Sequence, residues 1–371
     1  MRLGIDPSSY LECIHHGATY SVDGKPVEPI SYLHDENGVD LMRLRLWVDP
    51  YDGEFEPYLG GTNDLPTFVL LAKKGYRLGY DILLDFHFSD FWADPGKQFL
   101  PKGWRDLDMD GLERALGDYV RETLTYLKRK GIEPYAIQLG NEITAGFLWP
   151  YGKIDYHAEP PSSGFAGFLR LLSAAFAAAR EVLPEAKILL HLERSYDQET
   201  HRRFFDEVVA AGLSFDLIGL SYYPYWHHGF DELFANVEML KERYGKPVWI
   251  VETAYAHTQE EAYPGVGDGP LLNEVMAKKE GLNIPYPLTE EGQVSFIDAL
   301  IENGAAHGVE AIFYWEPLWV PKEGIAWASR EGEEYIHETN KPLVNEWASQ
   351  CLFDYQGRAT KGLKAFSLKD R

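Results

Sequence analysis

"IQLGNEITAG", residues 137–146, passes from an apolar run to a polar group within a few positions. The run is typical of a buried strand, and Asn141 and Glu142 follow it directly, where a strand ends and a loop begins. The stretch "PVWIVETAYA", residues 247–256, repeats the arrangement, because Glu252 closes a second apolar run. Two acidic residues at two strand ends fit the two halves of one active site, and the fold decides whether they meet.

Six further short apolar runs bring the number to eight. The eight runs occupy residues 3–5, 41–47, 81–86, 136–140, 187–192, 217–222, 248–252 and 311–315. Patterns with apolar residues at three- and four-residue steps lie between them and indicate helices. Such alternation is typical of parallel strand–helix units, and eight units predict a closed (β/α)8 TIM barrel, an α/β fold.

The predicted helices fill the intervals between the runs. They are Pro29–Asn37, Leu65–Leu78, Leu112–Lys130, Phe165–Leu183, Glu199–Ala211, Asp231–Tyr244 and Thr289–Asn303, with 363–368 in a last helix. Asp64, with Pro66 close behind it, is a typical helix start. Since the chain shows no Pro-, Gly- or Ser-rich linker, no repeat and no low-complexity tract, we expect one catalytic barrel domain over residues 1–371.

Long irregular stretches follow five of the eight runs. They span residues 48–63, 87–110, 143–162, 253–288 and 316–358. All of them lie on the side where a barrel keeps its active site. Loops of this length are usually functional, so we expect the site to be built largely from them.

The composition limits the partners that the chain can bind. The net charge is −23, from 35 basic and 58 acidic residues. A field of that sign repels nucleic acid and anionic lipid, so we expect a neutral or cationic partner, although an acidic surface also serves solubility alone. No apolar run reaches the roughly 18 residues of a membrane span. We expect neither a nucleic acid nor a membrane partner.

The cysteines and the N-terminus say less about function. Cys13 and Cys351 suit free thiols or one bridge between the chain ends, and do not suit a disulfide framework or a zinc site. The start "MRLGIDPSSY" has no charged segment followed by an apolar signal core. As given, the chain fits a cytoplasmic protein, or a secreted one whose signal was removed.

Polar and aromatic residues at the strand ends converge on one pocket in a barrel. The candidates are Arg45, Asp85, His87, Asn141, Glu142, His191, Glu193, Tyr222, Tyr223, Glu252, Trp315 and Glu316. Cleavage of a glycosidic bond usually needs two carboxyl groups, of which one is held protonated and the other is ionised. At a separation of about 5–5.5 Å the ionised group attacks the sugar directly and the configuration is retained. Glu142 and Glu252 are the predicted pair.

Four neighbours have expected roles in the same chemistry. Asn141 offers an amide to the sugar 2-hydroxyl. Tyr223 is placed to hydrogen-bond the nucleophile, and Arg45 to keep it ionised. Trp315 is expected to floor the subsite beside the scissile bond.

Other interpretations of these residues stay open at this point. A glutamate after a strand is often a helix cap or a salt-bridge partner, and Arg45 and Trp315 also suit ordinary barrel filling. His87 and His191 would suit a metal-dependent hydrolase, but the chain has neither an H-x-H nor an H-E-x-x-H spacing. We therefore expect no metal site and no cofactor.

Several motifs resemble glycoside hydrolase family 53, the arabinogalactan endo-β-1,4-galactanases. They are "RLRLWVDPYDG", "LLDFHFSDFWADPGKQ", "QLGNEITAGFLWPYG", "IGLSYYPYWHHG", "KPVWIVETAY" and "FYWEPLW", and the resemblance runs from about residue 4 to residue 366. It implies a (β/α)8 barrel that cleaves β-1,4-linked galactan, a side chain of pectin, internally and with retention. The substrate is then galactan or a galacto-oligosaccharide.

The resemblance also implies roles for individual residues. Glu142 is similar to the acid/base of the family, Glu252 to its nucleophile, and Asn141 to the partner of the 2-hydroxyl. The positions that match residues lining the cleft near the cleavage point are Arg45, His87, Tyr223 and Trp315. The positions in matching loop motifs, with expected sugar contacts, are Asp90, Trp92 and Trp226.

The chain departs from the family pattern in two loops. Some members have a calcium site after the seventh strand, but here Asp268 stands almost alone, so we do not expect calcium. After the fifth strand the chain has "HLERSYD", so Glu193 and Arg194 are expected to alter a sugar subsite. The rival functions are a retaining barrel glycosidase acting on mannan or β-glucan, a metal-dependent barrel hydrolase, and a carbohydrate-binding barrel without catalysis.

Overall fold

Eight parallel strands close into a barrel in the structure, a computed structural model that describes residues 1–158, 164–263, 281–338 and 342–369. The strands are β1 (Arg2–Asp6), β4 (Leu41–Leu46), β5 (Asp81–Phe86), β6 (Ala136–Leu139), β7 (Lys187–Leu192), β8 (Leu217–Ser221), β9 (Val248–Thr253) and β10 (Ala311–Trp315). Around the barrel the strands follow the order β1, β10, β9, β8, β7, β6, β5, β4. Each of the eight predicted runs forms a strand, so the predicted fold class is confirmed.

Helices cover the outside of the barrel. The described helices are α1 (Tyr10–His15), α2 (Pro29–Asn37), α3 (Leu65–Leu78), α4 (Met109–Arg129), α5 (Ala166–Val182), α6 (Gln198–Ala210), α7 (Phe230–Tyr244), α8 (Glu290–Ala306), α9 (Arg330–Tyr335) and α10 (Lys361–Ala365). Helix α3 begins as predicted, because the Asp64 side chain accepts a hydrogen bond from the Thr67 amide, 2.8 Å away. Of the described helices, none has the length and apolar character that would let it cross a membrane.

The sequence analysis did not predict several short elements. A two-stranded hairpin, β2 (Tyr20–Val22) with β3 (Lys25–Val27), and helices α1 and α9 lie in segments without a clear period. Elements of three to six residues carry too few side chains for a periodic pattern. They lie outside the barrel order and do not change its topology.

The barrel interior changes character along its axis. At the N-terminal ends of the strands it is apolar, with Leu41, Leu83 and Leu189 among the packed residues. Because side chains alternate between the two faces of a strand, the residues two and four positions after Leu41 also point inwards, and these are Arg43 and Arg45. The apolar layer supports the barrel, and the charged layers above it, at the C-terminal ends of the strands, form the base of the site.

Close packing inside the barrel depends on one missing side chain. A Cβ atom on Gly4 of β1 would lie 2.4 Å from the Phe313 ring of β10, closer than any real contact. Gly4 therefore leaves the space that the Phe313 ring occupies, and the ring helps to fill the closed end of the barrel.

Candidate active site

Glu142 follows β6 on a strained backbone. Its φ is +48°, in the left-handed region that non-glycine residues seldom adopt, and its side chain is half-buried. Such a conformation costs on the order of 1–3 kcal/mol and persists only where the surroundings impose it. The strain turns the chain sharply after the strand and directs the Glu142 carboxyl into the barrel mouth.

Glu252 points into the same barrel mouth because the pairing of β8 with β9 is irregular. Leu220 of β8 pairs with Ile250 of β9, but the next residue, Ser221, pairs with Glu252, so Val251 is an extra residue on β9. By simple alternation Glu252 would point to the helices, since Val251 packs in the barrel interior. The bulge re-aims Glu252 inwards, a common use of bulges beside active sites.

The Glu252 carboxyl is held by a cation and a hydroxyl. Arg43 Nη1 lies 2.8 Å from Glu252 Oε1, and the Tyr223 hydroxyl donates to Oε2 over 3.2 Å. The same guanidinium pairs with Asp6 at 2.8 Å and Asp85 at 2.7 Å. Burial raises the pKa of Glu252, which is 7% exposed, and the Arg43 charge opposes that rise. Arg43 thus favours the ionised form of a buried carboxyl.

The Glu142 carboxyl has a different environment. The Ser221 hydroxyl donates to Glu142 Oε1 over 2.6 Å, and no ion pair joins Glu142 to a cation among the residues that the structure describes. Burial raises the pKa of Glu142 well above its usual range, and the charges of Glu252 and Glu193 raise it further. The surroundings therefore favour the protonated form more strongly at Glu142 than at Glu252.

His191 of β7 connects to Glu142 through Ser221. The backbone N–H of Glu142 donates to His191 Nδ1 over 3.3 Å, and the Gln138 amide nitrogen lies 3.2 Å from the same atom. The same atom lies 3.0 Å from Asn141 Oδ1, an acceptor, and the other ring nitrogen, Nε2, lies 2.8 Å from Ser221 Oγ. Burial lowers the pKa of His191 well below its usual range, so the ring is neutral. Ser221 thus contacts His191 on one side and donates to Glu142 on the other.

Both carboxyls line one cavity of about 400 Å³. The lining residues are Asp94, Pro95, Glu142, Glu193, Tyr223, Trp226, His227, Glu252, Trp315, Trp327 and Trp347. Four tryptophans supply flat apolar walls and the acids supply polar contacts, a combination that suits a polyhydroxylated ligand with apolar ring faces. Of the predicted site residues, the structure brings together in this cavity Glu142, Glu193, Tyr223, Trp226, Glu252 and Trp315.

Arg45 and Asn141 lie behind the cavity wall. Arg45 Nη2 pairs with Glu316 at 2.5 Å, and Nη1 lies 3.3 Å from Asp6. Arg45 was expected to keep Glu252 ionised, and its charge acts in that direction, but Arg43 makes the direct contact and has the larger effect.

Asn141 is tied to the protein at both ends of its amide. Its oxygen accepts from Arg43 Nη2 at 2.7 Å, and its nitrogen donates to the Ala93 carbonyl at 2.8 Å. The side chain is buried and fixed beside Glu142. Its expected contact with the sugar 2-hydroxyl stays a prediction.

His87, Asp90 and Trp92 are buried supports of the same wall. His87 Nε2 lies 3.1 Å from Asp85, and Asp90 accepts from the Lys102 amide at 2.6 Å. Trp92 stacks on Trp327 with ring centroids 4.2 Å apart and nearly parallel planes. None of the three lines the cavity, so they would affect a ligand through the cavity residues that they hold in place.

Sequence reasoning missed Arg43, Ser221 and two of the tryptophans. Arg43 had a signal, because it shares the inward face of β4 with Arg45, two residues away. Trp327 and Trp347 lie in the long stretch after β10, where no local pattern indicates which side chain turns inwards.

Metal ligation can be assessed only in part. Within the described ranges, His, Cys, Asp and Glu side chains form no group of three or more that would hold a metal ion. Asp268, weighed above as a remnant of a calcium site, lies outside the described residues.

Comparison with known proteins gives a consistent result. The model of glycosyl hydrolase family 53 matches residues 2–366. An endo-β-1,4-galactanase of Bacillus subtilis is 30% identical over 383 aligned residues, which cover 98% of this chain and 84% of that protein.

Solved structures agree with that match. The family 53 catalytic domain of Ignisphaera aggregans superposes with a TM-score of 0.85 at 36% identity, covering 98% of this chain and 95% of that one. A fungal β-1,4-galactanase structure gives a TM-score of 0.74 at 28% identity, covering 99% and 98%.

Proposed function

The chain belongs to glycosyl hydrolase family 53, and from this premise we propose that it hydrolyses β-1,4-galactosidic bonds within galactan or arabinogalactan by a retaining double displacement. It is a glycoside hydrolase, and the relatives that carry a galactanase name supply the substrate class. The single observation that supports the mechanism is the pair of carboxyls, Glu142 and Glu252, in one cavity with opposite surroundings.

The first displacement uses both acids at once. Glu252, ionised beside Arg43, attacks the anomeric carbon of the sugar and forms an ester bond to it. The glycosidic bond breaks, and Glu142 gives its proton to the departing oxygen. Tyr223, which donates to Oε2 of Glu252, holds the attacking carboxylate in one orientation.

The second displacement reverses the role of Glu142. When Glu252 is esterified its negative charge is gone, so one of the charges that raise the pKa of Glu142 disappears. Glu142, now ionised, takes a proton from water, and the resulting hydroxide attacks the anomeric carbon and releases Glu252. Two inversions at the same carbon leave the configuration retained.

The substrate assignment is tested by a panel of polysaccharides assayed for new reducing ends. We expect linear β-1,4-galactan to be cleaved faster than mannan or β-glucan, with oligosaccharides of mixed length appearing early, as internal cleavage requires. Faster cleavage of mannan or β-glucan would overturn the substrate, and release of one product size from one chain end would overturn the internal mode. Persistence of the activity in a chelator separates this proposal from a metal-dependent hydrolase.

The stereochemistry is tested separately by proton NMR of the first product. We expect the β-anomer to form first and the α-anomer to appear only by slow mutarotation. Initial formation of the α-anomer would contradict the double displacement while leaving the substrate assignment intact.

A further inference from the structure

A third carboxyl in the cavity has no part in the two displacements. Glu193 follows β7 directly, and it lies four residues after Leu189, on the inward face of that strand. It is 3% exposed and lines the cavity with Glu142 and Glu252. Charged side chains are almost never buried to this degree without a partner, so its contacts need an account.

The described residues leave the hydrogen-bonding capacity of the Glu193 carboxyl unfilled. Neither carboxyl oxygen of Glu193 forms a hydrogen bond of ordinary length and angle with a described residue. Burial raises the pKa of Glu193, and the Thr144 hydroxyl, the backbone of Glu193 and Thr144, and the Arg194 charge oppose the rise. Among the described residues, Glu193 forms an ion pair with Arg194 Nε at 3.2 Å, and the Arg194 side chain is 47% exposed. Buried acceptors that stay unpaired destabilise the folded protein.

The position of Glu193 defines which part of a substrate it meets. Strand β7 pairs with β6, which carries Glu142, and is separated from β9 by β8. The charge of Glu193 acts on Glu142 and raises its pKa, whereas it is not among the main influences on Glu252. Since Glu142 faces the departing oxygen, Glu193 lies on the leaving-group side of the scissile bond.

We propose that Glu193 binds hydroxyl groups of the sugar unit on the leaving-group side of the bond that is cut. This inference rests on the proposed function and deepens it. A carboxylate offers two oxygens with several acceptor positions, and neighbouring hydroxyls on one sugar ring are donors at matching spacing. Bound sugar supplies the hydrogen bonds that the protein leaves unmade, so Glu193 favours substrates that extend beyond the cleavage point.

The proposal is tested with two substrates that differ only on the leaving-group side. One is galactotetraose, and the other is an aryl β-galactobioside, in which an aryl alcohol replaces the sugar. In Glu193→Ala we expect the ratio of kcat/KM for galactotetraose to kcat/KM for the aryl substrate to fall about tenfold or more, from the loss of bonds to a charged acceptor. In Glu193→Gln, which keeps one acceptor oxygen, the fall should be smaller.

Arg202→Ala is the control. It removes an exposed ion pair to Glu199 on helix α6, outside the cavity, so its ratio should stay within about twofold of the wild-type value. If Glu193→Ala lowers both substrates equally, or if Arg202→Ala lowers the ratio as strongly, the hydroxyl-binding role is overturned.

Failure of the proposed function gives a different result. If the wild-type enzyme cleaves another β-glycan of the panel and not galactan, the same substrate pair is made from that sugar. A fall in the ratio then supports Glu193 while the galactan proposal fails, and an unchanged ratio overturns Glu193 by itself.

Discussion

The ends of β6 and β9 present the same residue type in opposite settings. At β9, Glu252 shares Arg43 with Asp6 and Asp85, so a cation reaches the carboxyl directly. At β6, Glu142 accepts a hydrogen bond from a neutral hydroxyl and has negative charge around it. Burial acts on both and raises both pKa values, so burial alone does not divide the roles.

The difference shows that the residues in contact with the two carboxyls determine how each carboxyl behaves. Arg43 stabilises a charge on Glu252, whereas Ser221 and His191 fix the orientation of Glu142 without supplying a charge. In the proposed mechanism, the two acids take different roles because, among the described residues, a cation pairs with Glu252 and none pairs with Glu142. Changes to either setting should therefore have separable kinetic results.

The largest effect is expected for Glu252→Gln. The amide cannot attack the anomeric carbon, so kcat on linear galactan should fall by about 10⁴-fold or more. Arg43 keeps Asp6 and Asp85 as partners, so the thermal unfolding midpoint should change by only a few degrees. Hydrolysis at the wild-type rate by the folded variant would show that β9 does not carry the nucleophile.

Glu142→Gln should give a smaller loss that depends on the leaving group. On galactan we expect kcat/KM to fall about 10²–10⁴-fold, the usual contribution of a general acid. On an aryl galactoside with an acidic leaving group, formation of the glycosyl-enzyme needs little protonation, so the loss in kcat/KM should be much smaller. Equal losses on the two substrates would mean that Glu142 does not act as the general acid.

The stability of Glu142→Gln gives an independent check on its pKa. A carboxyl whose pKa is raised by folding contributes stability below its unfolded pKa, and this contribution is lost as the pH rises through the folded pKa. The amide does not titrate. The variant should therefore gain in unfolding midpoint relative to the wild type as the pH rises, and an opposite trend would contradict the assignment.

Much of the barrel could be predicted from the sequence because its signals are local. Eight apolar runs and the helical periods between them follow from the burial of both faces of a parallel strand. Helix ends differ from the predicted ones by a few residues, as at α4, which begins at Met109 and not at Leu112. The family resemblance was also present in local motifs, and the family match confirms it.

The site was less predictable because its contacts join distant strands. Which arginine of β4 meets Glu252 depends on height inside the barrel and on the bulge at Val251, and neither appears in a local pattern. The same holds for Ser221, which meets Glu142 across 79 positions of sequence. Strand ends indicate that residues converge, but not which pairs touch.

Arg43→Lys and Arg45→Lys compare two inward arginines on one strand. An ammonium group cannot bridge the three carboxylates that Arg43 joins, so the pKa of Glu252 should rise further. Because Glu252 must be ionised to attack, the acidic limb of kcat/KM should move to higher pH, with a rate loss of about 10²-fold. Arg45→Lys, beside Glu316, should move that limb less. A larger shift in Arg45→Lys would mean that Arg45, and not Arg43, keeps Glu252 ionised.

The smallest effect is expected for Ser221→Ala, which touches only the β6 side. The Ser221 hydroxyl lowers the pKa of Glu142 against the effect of burial, so its removal should raise that pKa further. Since Glu142 must be protonated to act as the acid, the alkaline limb of kcat/KM should move up by about one pH unit. The acidic limb, set by Glu252, should stay in place, and the rate at the optimum should fall less than about tenfold. Movement of the acidic limb alone would mean that Ser221 acts on the β9 side, and the separation between the two settings would then fail.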